Sequence, residues 1–184
     1  MKRRTLKRRT MKRVSFRQEL KGGDRRSIGN SNRVAAAVLQ QPRRAVELIQ
    51  CLWSEDPLVR MRAADAAEKV SVSKPELLNL FKAELLGLAE EATQAELRWH
   101  FALMLPRLPL SITERERVRC TLRRYLTDRS SIVKAFALQG MAELASGDAT
   151  SWAEAIDLLE RACRRGTPAM KARSRQLLKQ FQKP

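Results

Sequence analysis

The chain has 184 residues, with 37 Lys or Arg against 20 Asp or Glu, a formal charge of +17 at pH 7. Hydrophobic residues make up 43%, aromatics 5%, and Gly and Pro occur seven times each, enough apolar content for a core. Collagen-like and wholly disordered chains are excluded on this composition, and no run approaches the roughly 18 apolar residues of a membrane span.

Length argues for one domain with a tail. Residues 1–33 carry 13 basic and 2 acidic residues, and the chain opens MKRRTLKRRTMKR, with KRRT at 2–5 and again at 7–10. A repeat of five fits neither a helical nor a strand period. Charges this dense repel, and little apolar surface offsets the ordering entropy. Residues 1–30 are therefore expected to be a basic, largely disordered tail, with disorder to about Gly29, and residues 31–184 the folded domain. No apolar stretch follows the charges, which argues against a secretory signal; an Arg-rich, acid-poor tail also suits an organellar transit peptide. The stretch Lys21–Ser27 reads either as a hinge or as a segment docked on the first helices.

From residue 34 the apolar spacing is i, i+3, i+4, i+7 throughout, and strand alternation is absent. The pattern predicts helices at 33–41, 42–54, 57–71, 74–91, 94–108, 113–127, 130–146, 151–165 and 168–181. Asp56-Pro57 supplies an N-cap ahead of a first-turn proline. Capping boxes are predicted for Ser73 with Glu76, Thr93 with Glu96, Thr113 with Glu116 and Ser151 with Glu154. Gly166 is expected to close one helix, and Thr167-Pro168 to open the next. Pro106 should kink or stop its helix. Cys51, Cys120 and Cys163 are widely spaced and odd in number. They read as small buried hydrophobes in a reducing cytoplasm, with no disulfide framework or metal site.

Alternate helices open alike: Val59-Arg60-Met61-Arg62-Ala63-Ala64, Leu97-Arg98-Trp99-His100-Phe101-Ala102, Val133-Lys134-Ala135-Phe136-Ala137-Leu138 and Met170-Lys171-Ala172-Arg173-Ser174-Arg175. A period near 37 carrying two helices marks a helical repeat, whose units bury their apolar faces only by stacking. The string Asp56-Pro57-Leu58-Val59-Arg60-Met61-Arg62-Ala63-Ala64 resembles the HEAT repeat, with its Asp-Pro turn and Val-Arg-x-x-Ala second helix. GGDRRSIG at 22–29, VRMRAADAAEKV at 59–70 and RWHFALMLPRL at 98–108 resemble small bacterial HEAT-repeat proteins. The resemblance implies an all-α, right-handed α-solenoid of about four two-helix repeats, at 42–71, 74–108, 113–146 and 150–181, capped by helix 33–41. It also implies macromolecule binding, usually on the concave side lined by the second helices. Unit two lacks the Asp-Pro turn, and unit four has Met170 where Val is usual.

With Val59 as origin, a helical wheel puts Ala63, Ala66 and Val70 in the core, Arg60 at about 100° and Arg62 at about 300°. Arg60, Arg98, Lys134 and Lys171 share one repeat position, where a cation can bond a neighbouring turn such as Asp56 or Asp128. Arg62, Arg173, Arg175 and Lys179 lack that role and are candidate ligand contacts. Trp99 is either packing or an aromatic anchor ringed by Arg62, Arg98 and His100, a pairing suited to stacking on bases and binding phosphates. The run Arg115 to Arg124 is a convex-side basic patch or a solvated face.

No phosphate-binding glycine loop, nucleophile elbow or metal-ligand spacing occurs, so neither a reaction nor a cofactor is expected. The chain is expected to be a cytoplasmic, non-enzymatic scaffold whose partner is nucleic acid, DNA or RNA. Candidate contacts are Arg3, Arg4, Lys7, Arg8, Arg9, Lys12, Arg13, Arg25 and Arg26 in the tail, with Arg62, Arg98, Trp99, His100, Arg173, Arg175 and Lys179 in the groove. An adaptor for another, acidic protein is the alternative. A HEAT-like DNA glycosylase using Trp99 and Asp65 is a third reading, resting on fold analogy.

Overall fold

A computed structural model describes residues 14–24, 26–146 and 148–181. Among them there is no strand, and ten α-helices pack on one another. These are α1 (Phe16–Leu20), α2 (Ser31–Gln40), α3 (Ala45–Cys51), α4 (Pro57–Ser73), α5 (Lys82–Glu91), α6 (Ala95–Met104), α7 (Ile112–Tyr125), α8 (Ser131–Ala145), α9 (Ala149–Arg165) and α10 (Pro168–Phe181). Short 3-10 turns cover Pro42–Arg44, Pro75–Phe81 and Leu105–Arg107. No helix among the described residues is long and apolar enough to cross a membrane.

The even-numbered helices pack in series: α4 lies against α2 and α6, α6 against α8, and α8 against α10. The intervening helices pair with them, α3 on α4, α5 on α6, α7 on α8 and α9 on α10. Val59, Leu97 and Val133, the leading apolar residues of α4, α6 and α8, are buried in one continuous core. Spacing at i, i+4 turns these side chains inward, and contact between successive helices excludes water from them.

Local chemistry explains most helix ends. Asp56 caps α4 through its carboxylate, which accepts from the Leu58 N–H at 2.9 Å, with Pro57 in the first turn. Pro106 lacks an N–H, and α6 gives way to a 3-10 turn just before it. Thr167 accepts from Met170 N–H at the start of α10. Other predicted caps are corrected. The box at the start of α7 is Ser111 with Glu114, two residues earlier than Thr113 with Glu116. Ser73 lies inside α4, and the predicted helix 74–91 is divided into the Pro75–Phe81 turn and α5. Gln94, not Thr93, caps α6, without a side-chain bond. Asp148 rather than Ser151 supplies the accepting group before α9. Gly166 does not take the left-handed conformation. Its lack of a side chain answers crowding instead, since a Cβ there would lie 2.4 Å from the Ala162 carbonyl oxygen.

The largest departure from the sequence expectation is at the N-terminus. Residues 14–24 and 26–30, expected to be disordered, are ordered: α1 packs on α3 and α4, and the carbonyls of Gly22, Asp24 and Ser27 meet Arg62 of α4. Ser15 and Gln18 form a capping box that starts α1. Phe16 and Leu20, one turn apart, are fully buried. The Arg44 guanidinium sits 3.5 Å from the centre of the Phe16 ring, and the Phe16 N–H donates to Glu47 Oε1 at 2.7 Å. The physical reason lies in where the charge is concentrated. Residues 1–13 hold eight cations and no acid, but residues 14–30 carry only four cations and two acids beside two apolar anchors.

The cysteines divide three ways: Cys51 is buried, Cys163 intermediate and Cys120 exposed, so the expectation of three buried thiols holds for one. Burial, reinforced by the Glu47 carboxylate, pushes the Cys51 thiol up to about 11. Since the thiolate is the reacting form, a thiol reagent at neutral pH will label Cys120 rapidly and Cys51 only on unfolding. Equal rates in the native protein would contradict this burial.

Candidate functional site

Of the predicted contacts, Arg3, Arg4, Lys7, Arg8, Arg9, Lys12, Arg13 and Arg25 lie outside the described residues. Arg26 is exposed in the loop before α2. Arg62 is not a ligand contact: it is 2% exposed and wholly engaged. Its Nη1 donates to the carbonyls of Leu20 at 2.8 Å and Gly22 at 2.5 Å, Nη2 to Asp24 at 3.0 Å and Nε to Ser27 at 3.1 Å. The correction has a clear cause. Leu20, Gly22, Asp24 and Ser27, at and beyond the C-terminal end of α1, present four carbonyls to one planar fork of donors. Of the stretch Lys21–Ser27, expected to be a hinge or a docked segment, the described residues Gly22, Asp24 and Ser27 are docked on Arg62 of α4.

Arg98 is also structural. It pairs with Asp128 and donates to the Thr93 carbonyl. Arg60 has the same role on α4. It donates to the carbonyls of Ser54 at 2.7 Å and Glu55 at 3.0 Å and to Gln94 Oε1 at 3.3 Å. Each cation thus ties its own turn to the turn about 30 residues on; Arg98 meets the expected Asp128, while Arg60 bonds turn carbonyls and Gln94 rather than Asp56. The basic run on α7 is consumed in the same way. Arg117 makes a two-pronged contact with Glu90 at 2.5 and 2.8 Å, and Arg123 meets Glu154 at 2.7 Å. The hydrogen bond from Arg117 holds the Glu90 carboxyl below its usual range.

The central even-numbered helices carry a face of paired charges. Asp65 accepts from Ser31 of α2 and from Lys69. Arg107 bridges Glu68 of α4, at 2.5 Å, to Glu143 of α8, at 3.5 Å. Trp99 is half-buried against the core, its ring 5.7 Å from that of His100. Burial holds the His100 pKa below the ordinary histidine value, against the pull of Asp65 and Glu68. Arg62, Arg98, Trp99 and His100 therefore do not form a cationic ring around an aromatic anchor. Among the described residues no His, Cys, Asp and Glu cluster is placed to hold a metal ion.

The C-terminal helix pair differs. Residues 34–160 hold 16 cations and 18 acids, whereas residues 161–184 hold eight cations and no acid. Arg175 and Lys179 are exposed on α10 and have no partner among the described residues. Arg173 lies with its guanidinium carbon 4.9 Å from the centre of the Phe136 ring, and its Nη1 donates to Gln176 at 3.3 Å. Between them a cleft of about 280 Å³ opens, walled by Ile132, Ala135 and Phe136 of α8 and by Ala169, Ala172 and Arg173 of α10. No carboxylate lines it. A larger cleft of about 660 Å³ lies at the 92–95 and 127–130 turns; unlike the first, it is lined by the carboxylates Glu90 and Asp128, and of its arginines Arg98 pairs with Asp128 and Arg124 donates to the Glu90 carbonyl. Thus Arg173, Arg175 and Lys179 stay together on α10, while Phe136 and Ile132 escaped the sequence reading. A charge count restricted to the last 24 residues would have drawn attention to this end. No family model matches the chain, and no curated protein matches it.

Proposed function

We propose that the chain is a cytoplasmic, non-enzymatic scaffold of HEAT-like repeats, stacked as a solenoid of about four helix pairs, that binds nucleic acid through its two cationic ends. The serial packing of α2, α4, α6, α8 and α10 supports the solenoid. The observation carrying the nucleic-acid reading is the distribution of charge. Residues 1–33 carry a net +11 and residues 161–184 a net +8, with Arg33, Arg161 and Arg164 paired to Glu19, Asp157 and Glu160, while the stretch between them is slightly acidic and cross-linked by its own ion pairs. Cations without carboxylate partners are free to displace phosphate counterions. The groove expected at the centre is replaced in this reading by the C-terminal pair, because Arg62 and Arg98 are spent on the fold.

Binding to a random DNA duplex will weaken by at least about a thousandfold between roughly 50 and 200 mM salt, as six or more phosphate contacts require. Removing residues 1–13, which hold eight cations, will flatten the dependence of log K on log salt. The deletion must end there, since Phe16 and Leu20 belong to the core. A salt-independent affinity, or a slope unmoved by the deletion, would refute the proposal. A protein-adaptor reading is favoured by Leu80 and Ile112, 92% and 88% exposed on segments joined by the Lys82–Glu114 ion pair. A single protein enriched from nuclease-treated lysate, and lost with Leu80→Ser, would support it.

A further inference from the structure

We infer that the cleft between α8 and α10 is a stacking platform for an unpaired base, so that this end of the molecule prefers single-stranded over duplex nucleic acid. The inference rests on the nucleic-acid reading above and adds the site and the form of the strand. Phe136 and Arg173 already form a ring and a guanidinium plane in contact, and both faces of such a pair suit a flat heterocycle. Ile132, 44% exposed, and the small side chains Ala135, Ala169 and Ala172 leave flat apolar walls. The cleft is at the small end of ligand sites, roomy enough for one ring system and too small for a folded ligand.

The surroundings supply the backbone contacts. On a helical wheel Lys179 falls about 20° from Ala172 and Arg175 about 60° from it, so both lie beside the cleft mouth rather than across the helix. The wall residues come from the N-terminal halves of α8 and α10, where the helix dipoles add positive potential. An acidic peptide would find the same charge, but its carboxylates have no use for an aromatic ring against a guanidinium. A duplex cannot offer an unstacked base without paying for its opening.

Fluorescence anisotropy of the full-length protein with a labelled mixed-sequence single strand, as DNA and as RNA, and with the matching duplex tests this. Phe136→Leu, which keeps apolar volume, should weaken single-strand binding about 5- to 100-fold and leave duplex binding within about twofold. Ala172→Glu places a carboxylate at an exposed helical position that tolerates it, and should weaken single-strand binding at least about tenfold even if Phe136→Leu is poorly folded. Tight duplex binding with neither variant affecting the single strand would overturn the platform while leaving the nucleic-acid reading intact. Failure of the wild-type protein to bind either form would overturn both. Competition by a polyglutamate peptide as effective as by the unlabelled strand would assign the face to acidic proteins and overturn the platform.

Discussion

Replacing Arg62 with alanine will lower stability by about 3 kcal/mol and release residues 14–30 from the folded domain. The guanidinium is buried and makes four hydrogen bonds to backbone carbonyls, with no carboxylate among its partners. Removing it leaves the Leu20 carbonyl, inside the protein, without a donor, while those of Gly22, Asp24 and Ser27 are nearer water and recover some of the loss. For a chain of this length the melting temperature should fall by about 6–12 °C. Hydrogen exchange localises the effect: amides of α1 and the following loop should lose protection while those of α8 keep theirs. Arg62→Lys will not restore them, because one ammonium cannot span four acceptors set out for a planar fork. Gly29→Ala should reproduce the release. Gly29 has φ +52°, and a Cβ there would meet the Arg62 guanidinium carbon at 2.7 Å. Unchanged melting and exchange in Arg62→Ala would show that the segment holds itself in place.

Gly140→Ala will destabilise the protein by about 3 kcal/mol, although alanine is the better helix former by about 1 kcal/mol. Gly140 lies within α8 where it crosses α6, and a Cβ there would stand 2.3 Å from the Ala102 carbonyl oxygen and 3.2 Å from both methyls of Leu122. The obstructing atom is backbone, so relief requires α6 and α8 to separate along a contact that joins the two halves of the core. Gly87, within α5, is the control. Nothing lies within 4 Å of a Cβ built there, and Gly87→Ala should stabilise by about 0.5–1 kcal/mol. Thermal melts of the two variants should move in opposite directions. If both rise, the α6–α8 approach is looser than described.

How much of this was legible beforehand depended on the range of the interactions. Helices α4, α8 and α10 begin and end within two residues of their expected bounds, because apolar period, Asp56-Pro57 and Thr167-Pro168 act within one turn. Helix α1 had a signal too. Ser15-Phe16-Arg17-Gln18 is a capping sequence with apolar residues a turn apart, outweighed in the sequence reading by the charge of residues 1–13. The candidate site was less legible. Arg173, Arg175 and Lys179 were identified from position, but Phe136 was read only as a member of the repeat pattern.

The sequence by itself determined that the chain is helical, where most helices start, and how strongly its ends are charged, since each follows from neighbours in the chain. Only the tertiary structure decided which cations remain free. Arg62, Arg98, Arg117 and Arg123 find their partners 27 to 42 residues away, across contacts between helices and turns distant in the chain. A guanidinium on a helix surface has the same local pattern whether it meets backbone carbonyls, a carboxylate or water. Electrostatics over that span is settled by packing, and packing left α10 with cations that no acid among the described residues answers.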